Sequence, residues 1–411
     1  MRKILISASA FFLILFLASF DLFSPRAQAQ DENGHIPGQV LVKFKDGTTK
    51  AKKENLLRSN RAQVVGNLEA LGVSVLQVPG VAEERIVTAL SKNPNVEYAE
   101  LDYIAEAFLI PNDTYFSLNQ WGLENTGQTI KGVAGKIDAD VNGPTAWEVT
   151  LGGVKVAILD TGIDQDHVDL SAKIVLQQNF TDSPTINDLY GHGTHVGGIV
   201  AAVTNNNTGV AGGCPACELM NGKVLNDKGS GAYSWIANGI TWATDNGAKV
   251  VNMSLGGSAR SATLENAVNY AWNRGVVVIA AAGNSANPSK TYPAAYTNAI
   301  AVAATNNKDQ KASFSSYGAK WVDVAAPGEN IFSTFPNHPY KINKSLSYDF
   351  GSGTSMATPM TSAVAALIWS TPYGTSASMV RNRLQATADK IPGTGTYWSA
   401  GRVNAANAIS P

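Results

Sequence analysis

The feature that most constrains the fold is a regular alternation of apolar strands and helices from residue 109 onward. The apolar stretches are nearly continuous, as they are in strands buried on both faces of a sheet. They cover residues 154–159, 248–255 and 275–282, with weaker versions at residues 298–304 and 321–326. Helical patterns over residues 233–246 and 262–274 lie between them, and a glycine follows each. The alternation predicts an α/β domain over residues 109–411, with a mostly parallel sheet and helices on both faces.

Residues 30–108 have a different texture, with short alternating strands separated by charged helices. Strands are predicted at residues 40–44, 73–78 and 96–105, and one more short strand near Val64. Residues 49–59 and 81–91 have helical spacing. This order fits a small α+β, ferredoxin-like domain with an antiparallel sheet and two helices on one face. Composition alone leaves an ordinary accessory domain equally open.

The first residues have the organisation of a secretory signal. A positive start at Arg2 and Lys3 precedes an apolar stretch over residues 4–20, and an Ala-Gln-Ala site ends at Ala29. Cleavage after Ala29 is expected, which gives a signal peptide over residues 1–29. The alternative is a retained membrane anchor, because the apolar stretch nears spanning length.

Composition excludes several classes of protein. Hydrophobic residues make up 44% of the chain, charged residues 15%, and the net charge is -1. These values indicate a globular protein without the basic surface that nucleic-acid binding requires. The cysteines are Cys214 and Cys217, for which export favours a local disulfide that contributes about 2 kcal/mol at most. A redox or metal C-x-x-C is the alternative, without a second cysteine pair to support it.

Four polar residues stand where parallel sheets collect their chemistry, at strand ends and helix starts. Asp160 closes one apolar run, and Asn284 follows another. His192 opens a helical segment, and Ser355 lies at the first turn of a predicted buried helix. The chain order is Asp, His, Ser, which is one of the three known orders of a serine-hydrolase triad.

The chemistry of acyl transfer needs these residue types. A serine hydroxyl becomes a nucleophile when a base takes its proton, and imidazole does so near neutral pH. A carboxylate on the other ring nitrogen fixes the tautomer and stabilises the charged ring. The Asn284 side-chain amide and the Ser355 backbone N–H can donate to an oxyanion.

Each residue also has a simpler interpretation. Asp160 and Asn284 could be turn residues. His192 and His195 could be metal ligands, because positions i and i+3 share a helical face. For His195 alone we expect a packed or hydrogen-bonded residue behind the site. Together the triad residues favour catalysis, since each lies in an extended and mutually consistent motif.

Three motifs resemble the signatures of the subtilisin-like serine proteases, and in particular the thermitase-like members of that family. They are residues 160–162 (Asp-Thr-Gly), residues 192–195 (His-Gly-Thr-His) and residues 353–359 (Gly-Thr-Ser-Met-Ala-Thr-Pro). The resemblance implies a secreted serine endopeptidase with Asp160, His192 and Ser355 as its triad and Asn284 in its oxyanion hole. It also implies that residues 30–108 are an inhibitory propeptide, removed by self-cleavage between residues 105 and 110. The mature enzyme is expected to be an extracellular monomer that acts on proteins and peptides.

The resemblance also implies two sets of substrate-binding residues. One set walls the pocket for the residue before the scissile bond; its members are Ser254, Leu255, Gly256, Ala281, Ala282 and Gly283. The other set pairs with the substrate backbone as an added strand and consists of Gly229, Ser230 and Gly231. Because these walls are small or apolar and carry no fixed charge, we expect a preference for large apolar or aromatic side chains.

A structural calcium site is implied in the same way. Its ligands would be the side chains of Asp113, Asp169, Asn206 and Thr208 and the carbonyls of Val203 and Val210. Oxygen ligands on a loop suit a hard cation, although the same residues could form a plain polar loop. A second site of the thermitase-like pattern lacks one acid, because Asn179 replaces it, while Asp182 and Asp188 remain.

Two departures from the usual pattern follow the predicted nucleophile. Residues 360–363 read Met-Thr-Ser-Ala where the family usually has His-Val-Ala-Gly, and they are expected to face packing neighbours. Pro359 within the helix forfeits one backbone hydrogen bond. Two other functions remain open at this point: a metal-dependent hydrolase that uses His192, His195 and Asp160, and a non-catalytic binding protein on the same scaffold.

Overall fold

A computed structural model describes residues 35–79, 82–104 and 110–410 of the chain. Contacts divide the chain into two compact units, Met1–Glu106 and Ala107–Pro411. The predicted signal peptide and most of the predicted cleavage region lie outside the described residues. In the ranges that are described, we find no helix with the length and apolar character needed to cross a membrane.

The first unit is a four-stranded antiparallel sheet with two helices. Its elements are β1 (His35–Phe44), α1 (Lys50–Ser59), β2 (Gln63–Leu68), β3 (Val73–Gln77), α2 (Glu83–Ser91) and β4 (Val96–Tyr103). The strands lie side by side in the order β2-β3-β1-β4. This β-α-β-β-α-β arrangement confirms the predicted ferredoxin-like unit.

The core of the first unit follows from the period-two pattern of β1. Val40, Val42 and Phe44 point inward because alternate residues of a strand share one face. They pack with Leu76 of β3 and Leu90 of α2. β2 is an edge strand with no buried residue, so its sequence gives little period-two signal, and only a short strand near Val64 was predicted.

The second unit contains the remaining elements. In its first half these are α3 (Phe116–Asn119), β5 (Thr129–Ile130), β6 (Val133–Ala134), α4 (Gly143–Trp147), β7 (Lys155–Asp160), β8 (Ile174–Asn179), α5 (His192–Ala201), β9 (Glu218–Lys223) and α6 (Tyr233–Asp245). In its second half they are β10 (Val250–Met253), α7 (Ala262–Asn273), β11 (Val277–Ala281), β12 (Ala299–Thr305), β13 (Val324–Pro327), β14 (Ile331–Thr334), β15 (Tyr348–Gly351), α8 (Thr354–Trp369), α9 (Ala377–Ala386) and α10 (Ala405–Ile409).

A seven-stranded parallel sheet forms the centre of this unit, in the order β13-β12-β11-β10-β7-β9-β8. Every residue of β10, β11, β12 and β13 is buried, which explains why these strands have continuous apolar sequences. β8 and β9 were not predicted. β8 is largely exposed at the sheet edge, and the second half of β9 contains Asn221, Gly222 and Lys223, so neither is apolar throughout.

Helices cover both faces of the sheet, as predicted. Val156 and Ile158 of β7 pack on one side in a core that includes residues of α5 and α8. Ala157 and Leu159 of the same strand face the opposite side, in a core that includes residues of α6 and α7. Alternate residues of β7 therefore pack into two separate cores, one on each face of the sheet. The polar residue Asp160 ends the strand, at the edge of the sheet where parallel folds place their functional groups.

A buried ion cluster fastens the segment before α10 to the turn between β12 and β13. Arg402 is 3% exposed, and its guanidinium contacts both Asp309, which is 3% exposed, and Asp389. Lys136 adds a second cation 3.3 Å from Asp309. Removing one partner of a buried ion cluster leaves an uncompensated charge, so the cluster is expected to be sensitive to truncation.

We predict that Arg402→Met lowers the free energy of unfolding by about 3–5 kcal/mol, because Asp309 would stay buried without its main partner. Chemical denaturation of the purified protein measures the change. Arg260→Met is the matched control, since Arg260 pairs with Glu265 at 2.7 Å but is solvent-exposed. An Arg402→Met variant as stable as the Arg260→Met variant would contradict the role given to the cluster.

Candidate active site

Asp160 and His192 meet at the carboxyl end of β7. Asp160 is the last residue of that strand and is fully buried, and its Oδ1 lies 2.7 Å from Nδ1 of His192, the first residue of α5. The close approach depends on Gly193, because a Cβ there would lie 2.1 Å from the Gly162 carbonyl oxygen. With a proton on Nδ1, the carboxylate holds the ring in the tautomer whose Nε2 can accept a proton.

The pKa of His192 is raised by this environment. Burial lowers it, but the charge of Asp160 and its hydrogen bond outweigh burial, and the charge of Asp188 adds to the increase. Asp188 also fixes the turn before His192. Its carboxylate accepts from the backbone N–H groups of Gly191 at 2.7 Å and Thr194 at 2.9 Å, and from two hydroxyls. No sequence pattern indicates this role for Asp188.

Ser355 and Asn284 lie together at the start of α8. Asn284 Oδ1 accepts from the Thr354 backbone N–H at 2.9 Å and the Thr354 hydroxyl at 3.1 Å, which directs the amide nitrogen the other way. A Cβ on Gly353 would lie 3.3 Å from Asn284 Nδ2 and 3.5 Å from the Ser355 nitrogen. The two donors therefore border one small space in front of Gly353, which glycine keeps open.

Pro359 is accommodated in α8 by the side chain of Ser254, the residue that follows β10. As a proline it cannot donate to the Ser355 carbonyl one turn earlier in the helix. The Ser254 hydroxyl donates to that carbonyl instead, at 2.8 Å. In return the Ser355 hydroxyl donates to the Ser254 carbonyl at 3.1 Å. This reciprocal pair fixes the start of α8 against the end of β10.

The same network continues into the region where the sequence departs from the family pattern. Residues 360–363 are all buried, as predicted. The Ser362 hydroxyl donates to Asn252 Oδ1 at 2.9 Å, and Asn252 Nδ2 donates to the Ser254 hydroxyl at 3.1 Å. Ser362 thus completes a buried hydrogen-bond chain that ends at the Ser355 carbonyl.

Two adjoining cavities, each of about 440 Å³, form a cleft along the site. Residues 255–257 belong to both. His192, Ser254 and residues 229–231 line the first, whereas Ser355, Asn284, Ala281 and Gly283 line the second. Ala282 is different from its neighbours, because it is fully buried in a small core beside Trp398. An acid–imidazole pair and a serine on one cleft are typical of a serine hydrolase.

His195 is a packed residue behind the site, as expected. It is fully buried, its Nε2 lies 3.1 Å from the Ile331 carbonyl oxygen, and its ring centroid is 4.7 Å from that of Phe335. Burial, together with the charge of His192, lowers its pKa to about 3. Within the described ranges, no group of three or more His, Cys, Asp or Glu side chains is arranged to hold a metal ion. The ligand set required by the metal-dependent alternative is therefore not assembled there.

Four of the predicted calcium ligands lie on the loop over residues 203–210, and the other two, Asp113 and Asp169, contact that loop. Asp169 Oδ1 accepts from Asn206 Nδ2 at 2.8 Å, and its Oδ2 accepts from the Val210 N–H at 3.1 Å. The Val203 N–H donates to the Asp169 carbonyl at 2.9 Å, and the Thr208 N–H donates to Asn206 Oδ1 at 2.8 Å. The structure thus brings these residues into one cradle.

Asp113 provides the test of whether this cradle fits a cation. Its Oδ2 accepts from the Asn205 N–H at 2.9 Å, while its Oδ1 is buried without a hydrogen-bond partner among the described residues. Burial raises the pKa of Asp113, and the negative charge of Asp169 raises it further. Two carboxylates close together and an unpaired buried oxygen fit a hard cation such as Ca²⁺.

The acids considered for a second calcium site have other partners. Asp188 is occupied by the turn before His192, as described above. Asp182 Oδ1 accepts from Asn226 Nδ2 at 3.3 Å, and Asn179 Oδ1 accepts from the Thr181 hydroxyl at 2.8 Å. Each of these side-chain oxygens thus accepts a hydrogen bond from a different protein group.

Cys214 and Cys217 form the expected local disulfide, with their sulfurs 2.04 Å apart and both residues fully buried. The main chain passes close to the disulfide at Gly152. Only glycine fits at this position, because a Cβ on residue 152 would lie 2.1 Å from the Cys214 sulfur.

Comparison with known proteins agrees with the class that the cleft indicates. A model of the subtilase family matches residues 152–404, and a model of the fervidolysin N-terminal prodomain matches residues 24–102. The chain is 41% identical to the thermophilic serine proteinase of Bacillus sp. (strain AK1), over 98% of this chain and 97% of that protein. It is 50% identical to thermitase of Thermoactinomyces vulgaris, over 73% of this chain and 99% of that protein.

Among solved structures, a protease from Pseudoalteromonas arctica PAMC 21717 matches with a TM-score of 0.65 and 33% identity, over 73% of this chain and 98% of that chain. The chain therefore belongs to the subtilase family of serine peptidases and carries an N-terminal prodomain of the fervidolysin type. The resemblance inferred from the three motifs is confirmed.

We predict that Ser362→Ala lowers the free energy of unfolding by about 1–3 kcal/mol, because the buried Asn252 Oδ1 would lose its donor. Ser370→Ala is the matched control directly after the last residue of α8, since the Ser370 hydroxyl donates to the Ala366 carbonyl at 3.1 Å and to nothing in the network. Denaturant titration of both variants measures the difference. Equal stabilities of the two variants would show that the network does not depend on Ser362.

Proposed function

We propose that this chain is a secreted serine endopeptidase that cleaves peptide bonds through an acyl-enzyme, with Asp160, His192 and Ser355 as its triad. The observation that carries the proposal is the 2.7 Å contact between Asp160 and His192 on the cleft that also contains Ser355. Membership of the subtilase family supports the same chemistry.

In this mechanism the Ser355 hydroxyl attacks the peptide carbonyl while His192 Nε2 takes its proton. At rest that hydroxyl donates to the Ser254 carbonyl, so its proton has to be redirected to His192 when a substrate arrives. Asp160 stabilises the imidazolium that results, which agrees in sign with the raised pKa of His192. His192 then protonates the leaving amine, and water releases the acyl group by the reverse sequence of proton transfers.

The oxyanion of the tetrahedral intermediate would lie between Asn284 Nδ2 and the Ser355 backbone N–H. Both donors border the space in front of Gly353, and the hydrogen bonds from Thr354 hold the Asn284 amide in its orientation. Donors fixed before the reaction cost no reorganisation when the charge develops.

For the residue before the scissile bond we propose a pocket beside Ser355. Leu255, Gly256, Ala281 and Gly283 contribute to its lining, and Ser254 and Ala282 support it from the adjoining cavity and from the core. These small or apolar walls favour large apolar or aromatic side chains. Gly229, Ser230 and Gly231 would pair with the substrate backbone, so the specificity at other positions is broad.

The prodomain is proposed to act as an intramolecular inhibitor that self-cleavage removes. We place the signal peptide at residues 1–29, the propeptide at residues 30–108 and the peptidase domain at residues 109–411. On this proposal the mature enzyme is a monomeric extracellular protein.

We predict that Ser355→Ala abolishes peptide turnover, with a loss in kcat of about 10⁶-fold, the magnitude known for the nucleophile of subtilisin. The variant should also keep residues 30–108 attached, because self-cleavage needs the same hydroxyl. Casein hydrolysis and N-terminal sequencing of the secreted protein measure both effects. Ser399→Ala, at an exposed position, should mature normally. A Ser355→Ala protein that matures alone and cleaves casein would exclude the proposed nucleophile.

We also propose that Asp113, Asp169, Asn206, Thr208, Val203 and Val210 hold a structural calcium ion. The unpaired buried oxygen of Asp113 and the neighbouring Asp169 carboxylate support this proposal. The ion would neutralise the two carboxylates and link the loop over residues 203–210 to the segments that contain Asp113 and Asp169.

Chelation of calcium is predicted to lower the unfolding temperature, because an ion at a hundredfold excess over its Kd stabilises the native state by about 2.7 kcal/mol. Asp113→Asn should remove this dependence, since it removes one of the two charges. Asp182→Asn is the control, because Asp182 lies outside the cradle and contacts Asn226. A wild-type unfolding temperature that is the same with EDTA and with calcium would reject the site.

A further inference from the structure

The loop between β14 and β15, residues 335–347, is hydrogen-bonded to the turn that precedes α5. The Lys341 N–H donates to the Leu189 carbonyl at 3.0 Å, and the Ile342 N–H donates to the Tyr190 carbonyl at 3.1 Å. Both bonds are between backbone groups, so they join the main chain of the loop to the main chain of the turn. We call residues 335–347 the β14–β15 loop.

The ring of Tyr340, in the middle of this loop, lies against Gly191, the residue before α5. A Cβ at Gly191 would be 2.3 Å from Tyr340 Cδ2, and the φ of +104° at Gly191 also favours glycine. Tyr340 is 8% exposed and stacks on Phe335, with ring centroids 5.4 Å apart. Its hydroxyl donates to the Ser345 carbonyl at 2.9 Å. The loop thus holds the ring in place while the ring contacts the backbone of Gly191.

The strand before the loop contacts the same helix. The Ser333 hydroxyl donates to the His195 carbonyl at 2.9 Å, and the Thr334 hydroxyl donates to the Thr194 carbonyl at 2.8 Å. A Cβ at Gly198 would lie 2.2 Å from the Thr334 hydroxyl oxygen, so β14 and α5 pack closely. The first turn of α5 is therefore bound by β14, and the residues before it are bound by the β14–β15 loop.

The turn before α5 divides its hydrogen bonds between two partners. Its N–H groups at Tyr190 and Gly191 donate to Asp188 Oδ1, whereas its carbonyls at Leu189 and Tyr190 accept from the β14–β15 loop. Tyr340 is not one of the described residues that line the two cavities of the cleft. Its contact is with the turn, so it can influence the reaction only by way of the turn.

We propose that Tyr340 is a positioning residue for His192, whose ring supports Gly191 and thereby holds the imidazole in contact with Asp160. This inference rests on the proposed endopeptidase function, in which His192 is the general base. Because His192 directly follows Gly191, a shift of the turn would carry the imidazole away from Asp160. A displacement of about 1 Å in a catalytic group can lower the rate by about 100-fold.

The pKa of His192 depends on the contact that Tyr340 is proposed to maintain. Burial lowers it, whereas Asp160 at the end of β7 and Asp188 in the turn raise it, and the net change is upward. His195 in α5 is uncharged near neutral pH, because burial lowers its pKa to about 3. Burial also raises the pKa of Tyr340, so its phenol stays neutral there. A weaker contact with Asp160 should therefore return the pKa of His192 toward its ordinary value of 6.5.

Steady-state kinetics on the peptide succinyl-Ala-Ala-Pro-Phe-p-nitroanilide, measured as a function of pH, test the proposal. Tyr340→Ala should lower kcat by about tenfold or more, with KM changed by less than about twofold, because the ring is outside the cleft. The midpoint at which kcat/KM rises with pH should lie above 6.5 in the wild type and move toward 6.5 in the variant. Tyr340→Phe should keep the wild-type kcat and midpoint, because it retains the ring and loses only the bond to Ser345.

Tyr296→Ala is the control for a general loss of packing. Tyr296 is 3% exposed, its hydroxyl donates to the Ser261 carbonyl at 2.9 Å, and it packs in the core that contains residues of α6 and α7. This variant should lose stability but keep the wild-type kcat and midpoint. Equal changes in Tyr296→Ala and Tyr340→Ala would overturn the positioning role, and so would a wild-type kcat and midpoint in Tyr340→Ala.

Tyr340→Leu decides the question if Tyr340→Ala does not fold, because leucine fills part of the space of the ring. A lower kcat together with a lower midpoint in Tyr340→Leu supports the proposal, and wild-type values of both overturn it. Failure of the proposed function has a different signature. In that case the wild type itself would neither cleave the peptide nor react with a serine-directed phosphonylating reagent.

Discussion

The hydrogen bond between Asp160 and His192 is the interaction on which the rest of the site depends. It exists because β7 ends in a buried carboxylate and α5 begins with an imidazole, while Gly193 lets the helix approach the strand. Asp188 holds the turn before His192 through several donors, so the imidazole is positioned before any substrate binds. A buried charge is tolerated only with partners, so this pair constrains the fold as well as forming part of the proposed triad.

Ser355, the proposed nucleophile, is held by a separate hydrogen-bond network, which is needed because α8 contains a proline. Pro359 leaves the Ser355 carbonyl without a helical donor, and the hydroxyl of Ser254, the residue after β10, donates to it instead. Asn252 and Ser362 extend that bond into the core. The start of α8 is thereby held against β10 by side chains and not only by its own backbone, which keeps Ser355 next to Asn284, the proposed oxyanion donor.

Much of the fold could be predicted because β7, β10, β11 and β12 are buried on both faces of the sheet. Strands in that position need nearly continuous apolar sequences, which are easy to recognise. The same pattern does not identify β8, because it lies at the exposed edge of the sheet and is partly polar. It does not identify β9 either, because that strand contains polar residues such as Asn221 and Lys223. The residues proposed for catalysis were visible because each lies in a contiguous motif. The roles of Asp188 and Ser362 were not visible, because they come from contacts with residues far away in the sequence, such as Thr161 and Asn252.

The proposed triad is tested most directly by the pH dependence of labelling by a serine-directed phosphonylating reagent, with mapping of the modified peptide. If the triad is correct, the label should be on Ser355. Its rate should rise as His192 loses its proton, at a pH above the ordinary histidine pKa of 6.5, because Asp160 raises the pKa of His192. In Asp160→Asn the rise should move to lower pH and the rate should fall, since the imidazolium loses its partner. A label on another residue, or an unchanged pH profile in Asp160→Asn, would contradict the proposed triad.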